Sequence, residues 1–139
     1  MTQRETYLQQ LVAALAADAD LKQLGVTLGR SIWHAARRQG GRVLVVSRGQ
    51  DVPVDTNIGR TTRTCVVMLS AVVWSPTPDT EADEIFALTH PVVMRFTADG
   101  LLGVTEGPTS EPQVGDEDGG MGILTMQYAI EYQTAPDAL

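Results

Sequence analysis

Few residues of this chain have chemistry to offer. They are His34, His90, Cys65, the acidic run Asp116, Glu117 and Asp118, and ten basic residues, nine of them arginine. A histidine with a hydroxyl or thiol and a carboxylate can form a nucleophilic site, and the partners need only meet in space. No nucleophile elbow or comparable local signature accompanies either histidine. His34 adjoins Trp33 in a segment that reads as strand, and His90 precedes a helix-kinking Pro91, so both read as ordinary surface or core histidines. Cys65 lies in the apolar run "TCVVML" and reads as a buried structural thiol, since a catalytic thiolate wants an electropositive, partly exposed pocket. A single cysteine closes no internal disulfide. The loop "GDEDGGMG" at 115–122 offers oxygens to a hard divalent cation. Its spacing departs from the alternate ligands of an EF-hand, and no "GK[ST]" follows to make a phosphate cradle. It reads as a solvated acidic loop. The expectation is a protein that is not an enzyme and holds no cofactor and no metal.

The arginines are the stronger signal. The stretch "SIWHAARRQGGRVLVVSRGQ" carries four of them in a chain of net charge -7. Between positions 30 and 63, seven arginines and two aspartates leave +5, while the rest of the chain carries -12. Backbone attraction to nucleic acid is one use of such a patch. The aromatic ladder of a single-strand binder is missing, and aromatics are 5% of the chain, which disfavours a base-stacking platform. The other use is protein contact. Arginine's planar fork pairs bidentately with carboxylate and suits interfaces better than lysine. Arg37, Arg38, Arg42, Arg48, Arg60 and Arg63 are therefore the candidate oligomer or partner interface, with Arg37, Arg38 and Arg42 expected at a turn between two strands.

The elements that would position them follow from periodicity. The 139 residues suit one domain, 1–139. Leu8, Leu11, Val12, Leu15 and Ala19 make one apolar stripe, which predicts an opening helix with Thr2 and Glu5 at capping-box spacing and an end near position 20. "VTLGRSIWHA" reads as β-like with Val26, Leu28, Ile32 and Trp33 as burial candidates, and "RVLVVS" as a short strand. Pro53 makes any continuation an edge at best, so 51–60 reads as an irregular arm or hairpin. "RTTRTCVVMLSAVVW" is the strongest strand, apolar at consecutive positions as a central strand covered on both faces would be. A second helix, capped by Asp79 or Thr80, carries the stripe Ile85, Leu88, Val92 and Phe96, and Pro91 should kink or split it. "LLGVTE" is a short strand, and 107–122 an acidic loop. Alternation in "GILTMQYAIEYQT" turns Leu124, Met126, Tyr128, Ile130 and Tyr132 to one face. The fold class is α+β: a mixed or antiparallel sheet of about five strands with two helices packed on one face. "MTQRETYLQQ" lacks an apolar signal core and no run reaches a membrane span, so the expectation is a soluble chain made in the cytoplasm, with no membrane partner.

This order of segments resembles the small tail terminator, or tail completion, proteins of long-tailed phages, of the lambda minor tail protein U type. The resemblance rests on the helix "RETYLQQLVAALAAD", the arginine-rich β region, "RTTRTCVVMLSAVV" leading through a Pro/Asp turn to "DTEADEIFALTHPVVMRF", the strand "LLGVTEG", and the closing "LTMQYAIEYQT". It implies a structural homo-oligomer, typically a hexameric ring, that caps the finished tail tube in the virion tail after assembly in the host cytoplasm. The implied partners are the tail tube protein, the head-completion or connector protein, and DNA passing transiently through the lumen. A head-tail connector or neck protein is the alternative within the same setting. A small ligand-binding or enzymatic α+β domain is the alternative outside it.

Overall fold

Thr2 starts the first helix by accepting a hydrogen bond from the Glu5 amide, satisfying one of the donors a helix N-terminus leaves open. A computed structural model of the chain describes residues 1–36, 41–114 and 120–139. Helix α1 (Gln3–Ala16) buries Tyr7, Leu8, Leu11 and Leu15. Each such side chain removed from water is worth about 1.5–3 kcal/mol. The helix ends earlier than the stripe predicts. Asp18 accepts from the amides of Asp20 and Leu21 and so starts a separate short helix, α2 (Ala19–Leu24), which Gly25 closes at φ 80°.

Strand β1 (Val26–Gly29) is shorter than expected, and Ile32–Ala36 forms a short helix, α3, in place of further strand. Helical geometry puts Trp33 on the side away from Ala35. Ala35 is 4% exposed against the sheet and Trp33 is 68% exposed, so the expected burial of Trp33 is corrected. Strand β2 (Arg42–Asn57) and strand β3 (Arg60–Trp74) form one long hairpin. The expected irregular arm is thus ladder-paired up to Asn57 and Arg60, with register shifts between Arg48 and Asp51 and between Pro53 and Asp55. Pro53 is tolerated because β1 pairs with β2 only as far as Val45, which leaves the outer edge of β2 without a strand partner beyond it.

Helix α4 (Pro78–Met94) begins one residue before the expected caps, with Pro78 in the first turn, where its fixed φ suits a helix start. It buries Ala82, Ile85, Phe86, Thr89 and Val93, while Leu88, Val92 and Phe96 pack against the core half-buried. Pro91 does not split it. The proline sits in the last turn, where it removes a single backbone bond. Strand β4 (Leu101–Thr109), the two-residue strand β5 (Gln113–Val114) and strand β6 (Met121–Thr134) complete the set. Much of the expected acidic loop is therefore strand.

The sheet is open, mixed and six-stranded, in the order β1-β2-β3-β6-β4 with β5 also on β6. Only β1 and β2 run parallel. Helices α1, α2 and α4 cover one face, over Leu44, Val67, Leu69, Leu124, Tyr128 and their neighbours. Helix α3 covers one end of the other face, over Val43, Val45 and Val72. Two helices on one face thus become three, with the fourth on the opposite side. All five residues expected on the buried face of β6 are buried.

Candidate assembly interface

Ion pairing inside the fold divides the arginines into two groups. Arg30 spans Glu5 at 2.9 Å and the Val46 carbonyl at 2.8 Å, tying α1 to the β2 edge and holding the Glu5 carboxyl below its ordinary range. Arg42 opens β2 and donates to the Leu24 carbonyl at 3.1 Å, with Glu81 3.7 Å away. The element before it is α3 rather than a strand, so Arg42 is not held out at a strand–strand turn but knits α2, β2 and α4 together. Arg37 and Arg38 lie outside the described residues, as do Asp116, Glu117 and Asp118. Arg48, Arg60 and Arg63 make the second group. Among the described residues none of the three is in an ion pair. Arg60 donates to the Gln133 side-chain oxygen at 3.2 Å and Arg63 to the Thr134 hydroxyl at 3.3 Å. Arg60 and Arg63 stand at the end of the β2–β3 hairpin, where residues 52–60 are all exposed and Val54 and Ile58 are open to water at 56% and 108%, while Arg48 lies farther in, opposite Val67.

Beneath that end lies a buried polar cluster. Asp51, whose side chain is 2% exposed, pairs with Arg4 at 2.9 Å and accepts from the Tyr132 hydroxyl. Its other oxygen is buried with no hydrogen-bond partner among the described residues. Burial and the adjacent carboxylate both push the Tyr132 hydroxyl up, and Asp51 raises the Arg4 guanidinium. The cluster fastens α1 to the point where β2 bulges, and so fixes the direction in which the hairpin leaves the core. Sequence reading placed Asp51 at the start of the irregular arm and missed this role. Tyrosine at a buried strand position was the available signal, because a buried hydroxyl needs a partner.

The histidines separate likewise. His34 is exposed on α3. His90 lies with Nδ1 2.7 Å from the Tyr128 hydroxyl and Nε2 3.5 Å from Glu106. A hydroxyl, an imidazole and a carboxylate in that order resemble a proton relay. Tyr128, however, is 1% exposed and burial pushes its hydroxyl up to about 12, so no substrate reaches it and it is a poor nucleophile. The trio pins α4 against β6 and β4. Among the described residues no group of three His, Cys, Asp or Glu is placed to hold a metal ion.

No protein family matches this chain, and no curated protein does. What the interface can do therefore rests on its own geometry: a cationic, partly apolar sheet corner, rigidly based and open to a partner. No helix among the described residues is long and apolar enough to cross a membrane.

Cys65 is fully buried beside this base, and burial pushes its thiol from 9.0 up to about 11. The folded chain thus holds the neutral thiol more tightly than the unfolded chain does. Its stabilising contribution is full below pH 9 and is lost as pH rises through the raised value. Cys65→Ala is expected to lose less stability than the parent between pH 9 and 11. Urea midpoints at three pH values across that window check it, and identical declines would remove the thiol as the cause. Tyr128, ordinarily at 10.0, contributes in the same sense but higher, between pH 10 and 12.

Proposed function

We propose that this chain is a structural assembly subunit, the tail terminator of a long-tailed phage. Copies of it form a ring, typically a hexamer, on the finished tail tube. The ring stops further tube polymerisation and presents a surface to the head-completion protein, and DNA passes through its lumen. No cofactor enters this reading, and its place is the virion tail, after assembly in the host cytoplasm. The observation that carries it is the group Arg48, Arg60 and Arg63: cations on one hairpin that are in no ion pair among the described residues, in a chain whose net charge is -7. Such a chain carries on other parts of its surface the acids those arginines lack, which is what contact between copies requires. The order of elements, helices over an open mixed sheet, supports the same reading.

Negative-stain micrographs and sedimentation of the purified protein, alone and with tail tube protein, test it. Rings and concentration-dependent association are expected. A strict monomer at high concentration, with and without Mg²⁺ or tube protein, overturns the proposal. Deleting the gene in its phage separates the roles: over-long tails mark a terminator, whereas normal tails beside unattached heads mark a head-tail connector.

A further inference from the structure

The helix layer carries an open groove of about 840 Å³ between α1 and the second half of α4. Its apolar surface comes from Ala14, Leu88, Val92 and Phe96, all only half-buried. Asp18, Asp20 and Asp99 line it too, against one cation, Arg95. Asp20 and Asp99 are in no ion pair among the described residues, and the Asp18 carboxylate caps α2. The groove is therefore apolar within and acidic at its border. The hairpin end is the converse: exposed Val54 and Ile58 flanked by Arg60 and Arg63, which are in no ion pair among the described residues. The two patches share no residue.

We infer that the contact between copies is heterologous: the β2–β3 hairpin end of one copy seats in the α1–α4 groove of the next. The groove then takes a second copy of this chain, with Ile58 over the apolar floor and Arg60 and Arg63 facing Asp20 and Asp99. Every copy keeps one free hairpin end and one free groove until the chain of contacts closes on itself, which is the condition for a ring. Pairing of sheet edges is the competing mode, and the free edges resist it: the outer edge of β1 is only four residues long. The β2 and β4 edges each carry two register shifts and a proline, Pro53 and Pro108. The inference rests on the assembly reading above and specifies its contact.

Two charge reversals test it in the full chain. The hairpin variant is Arg60→Glu with Arg63→Glu, and the groove variant is Asp20→Arg with Asp99→Arg. Each alone is expected to weaken association by about tenfold or more, because like charges then face each other across the contact. Mixed in equal amounts they should assemble again. The acidic hairpin then fits the basic groove, and the native hairpin of the groove variant fits the native groove of the other. Circular dichroism and thermal melts confirm that each variant is folded. Ile58→Cys with Val92→Cys gives an independent reading, since oxidation should yield a ladder of cross-linked multimers, with Cys65 buried out of reach. Reversal variants that each still form rings as the wild type does, or a mixture that stays dissociated with no cross-linked ladder while the wild type forms rings, overturn this contact and leave the assembly reading standing. A wild type that stays monomeric with tube protein overturns both.

Discussion

Asp51→Ala should lower the stability of this protein by about 2–4 kcal/mol, read as the shift in urea midpoint at neutral pH. Alanine leaves the Arg4 guanidinium without its anion and the Tyr132 hydroxyl without its acceptor. Tyr132 is fully buried, and the Arg4 side chain is 19% exposed, so water replaces the lost bonds only in part. A buried pair broken on one side costs more than the pair was worth, because the remaining charge keeps its desolvation penalty. The same reasoning makes a second, opposite expectation. The triple variant Arg4→Met, Asp51→Leu, Tyr132→Phe removes every member at once and should recover most of the loss. A triple variant as unstable as Asp51→Ala would show that the damage lies in backbone geometry at the β2 bulge. A loss under about 0.5 kcal/mol for Asp51→Ala would show that the cluster is solvated, as ordinary surface changes are.

Leu69→Ala should cost as much or more, about 3–5 kcal/mol. Leu69 stands at the middle of β3, opposite Val46 on one side and Met126 on the other, and is fully buried under the helix layer. Strands on both sides and helices above leave little room for collapse into the cavity. Val54→Ala, on the exposed part of the same hairpin, should stay within about 0.5 kcal/mol. Paired denaturation curves give the contrast directly. Similar costs at the two positions would contradict the division into a packed centre and an open corner.

Sheet strands with a single buried face were the most legible part of the fold. In β6, period-2 alternation is forced by the pleat, so Leu124 to Tyr132 could be placed without knowing the neighbours. The apolar run "TCVVML" of β3 reads as covered on both faces, yet Val66 and Met68 are only half-buried; burial at consecutive positions starts at Leu69 and continues to Val73, one face under the main helices and one towards α3. Legibility failed where a distant partner decides. Trp33 looked like core because it is large and apolar, yet the choice between strand and helix over Ile32–Ala36 was made by the second sheet face that Ala35 covers. The length of β2 past Pro53 depended on where β1 stops, which local pattern does not encode. For the candidate interface, composition alone located the arginines. Which of them stay available depended on carboxylates contributed from elsewhere. Glu81 takes Arg42 and Glu5 takes Arg30, while Arg48, Arg60 and Arg63 are in no ion pair among the described residues. Asp51 escaped notice because its partners lie 47 and 81 positions away in the chain.

The place of β6 in the sheet sets the order in which the protein can be made. It pairs with β3, β4 and β5, and it follows all three in the chain. While it is being synthesised, the β2–β3 hairpin can form, but the other side of β3 offers an unpaired edge along its most apolar residues. Translation of Ser75 to Thr134 takes roughly 3–12 s at ordinary ribosomal rates. Through that interval the nascent chain has its strongest strand open to mispairing with other chains. A ribosome that stops within Met121–Thr134 releases a polypeptide that cannot close its sheet or anchor Asp51 through Tyr132. The last strand is therefore the step that closes the sheet: only a chain translated through it anchors Asp51 through Tyr132 at the base of the β2–β3 hairpin.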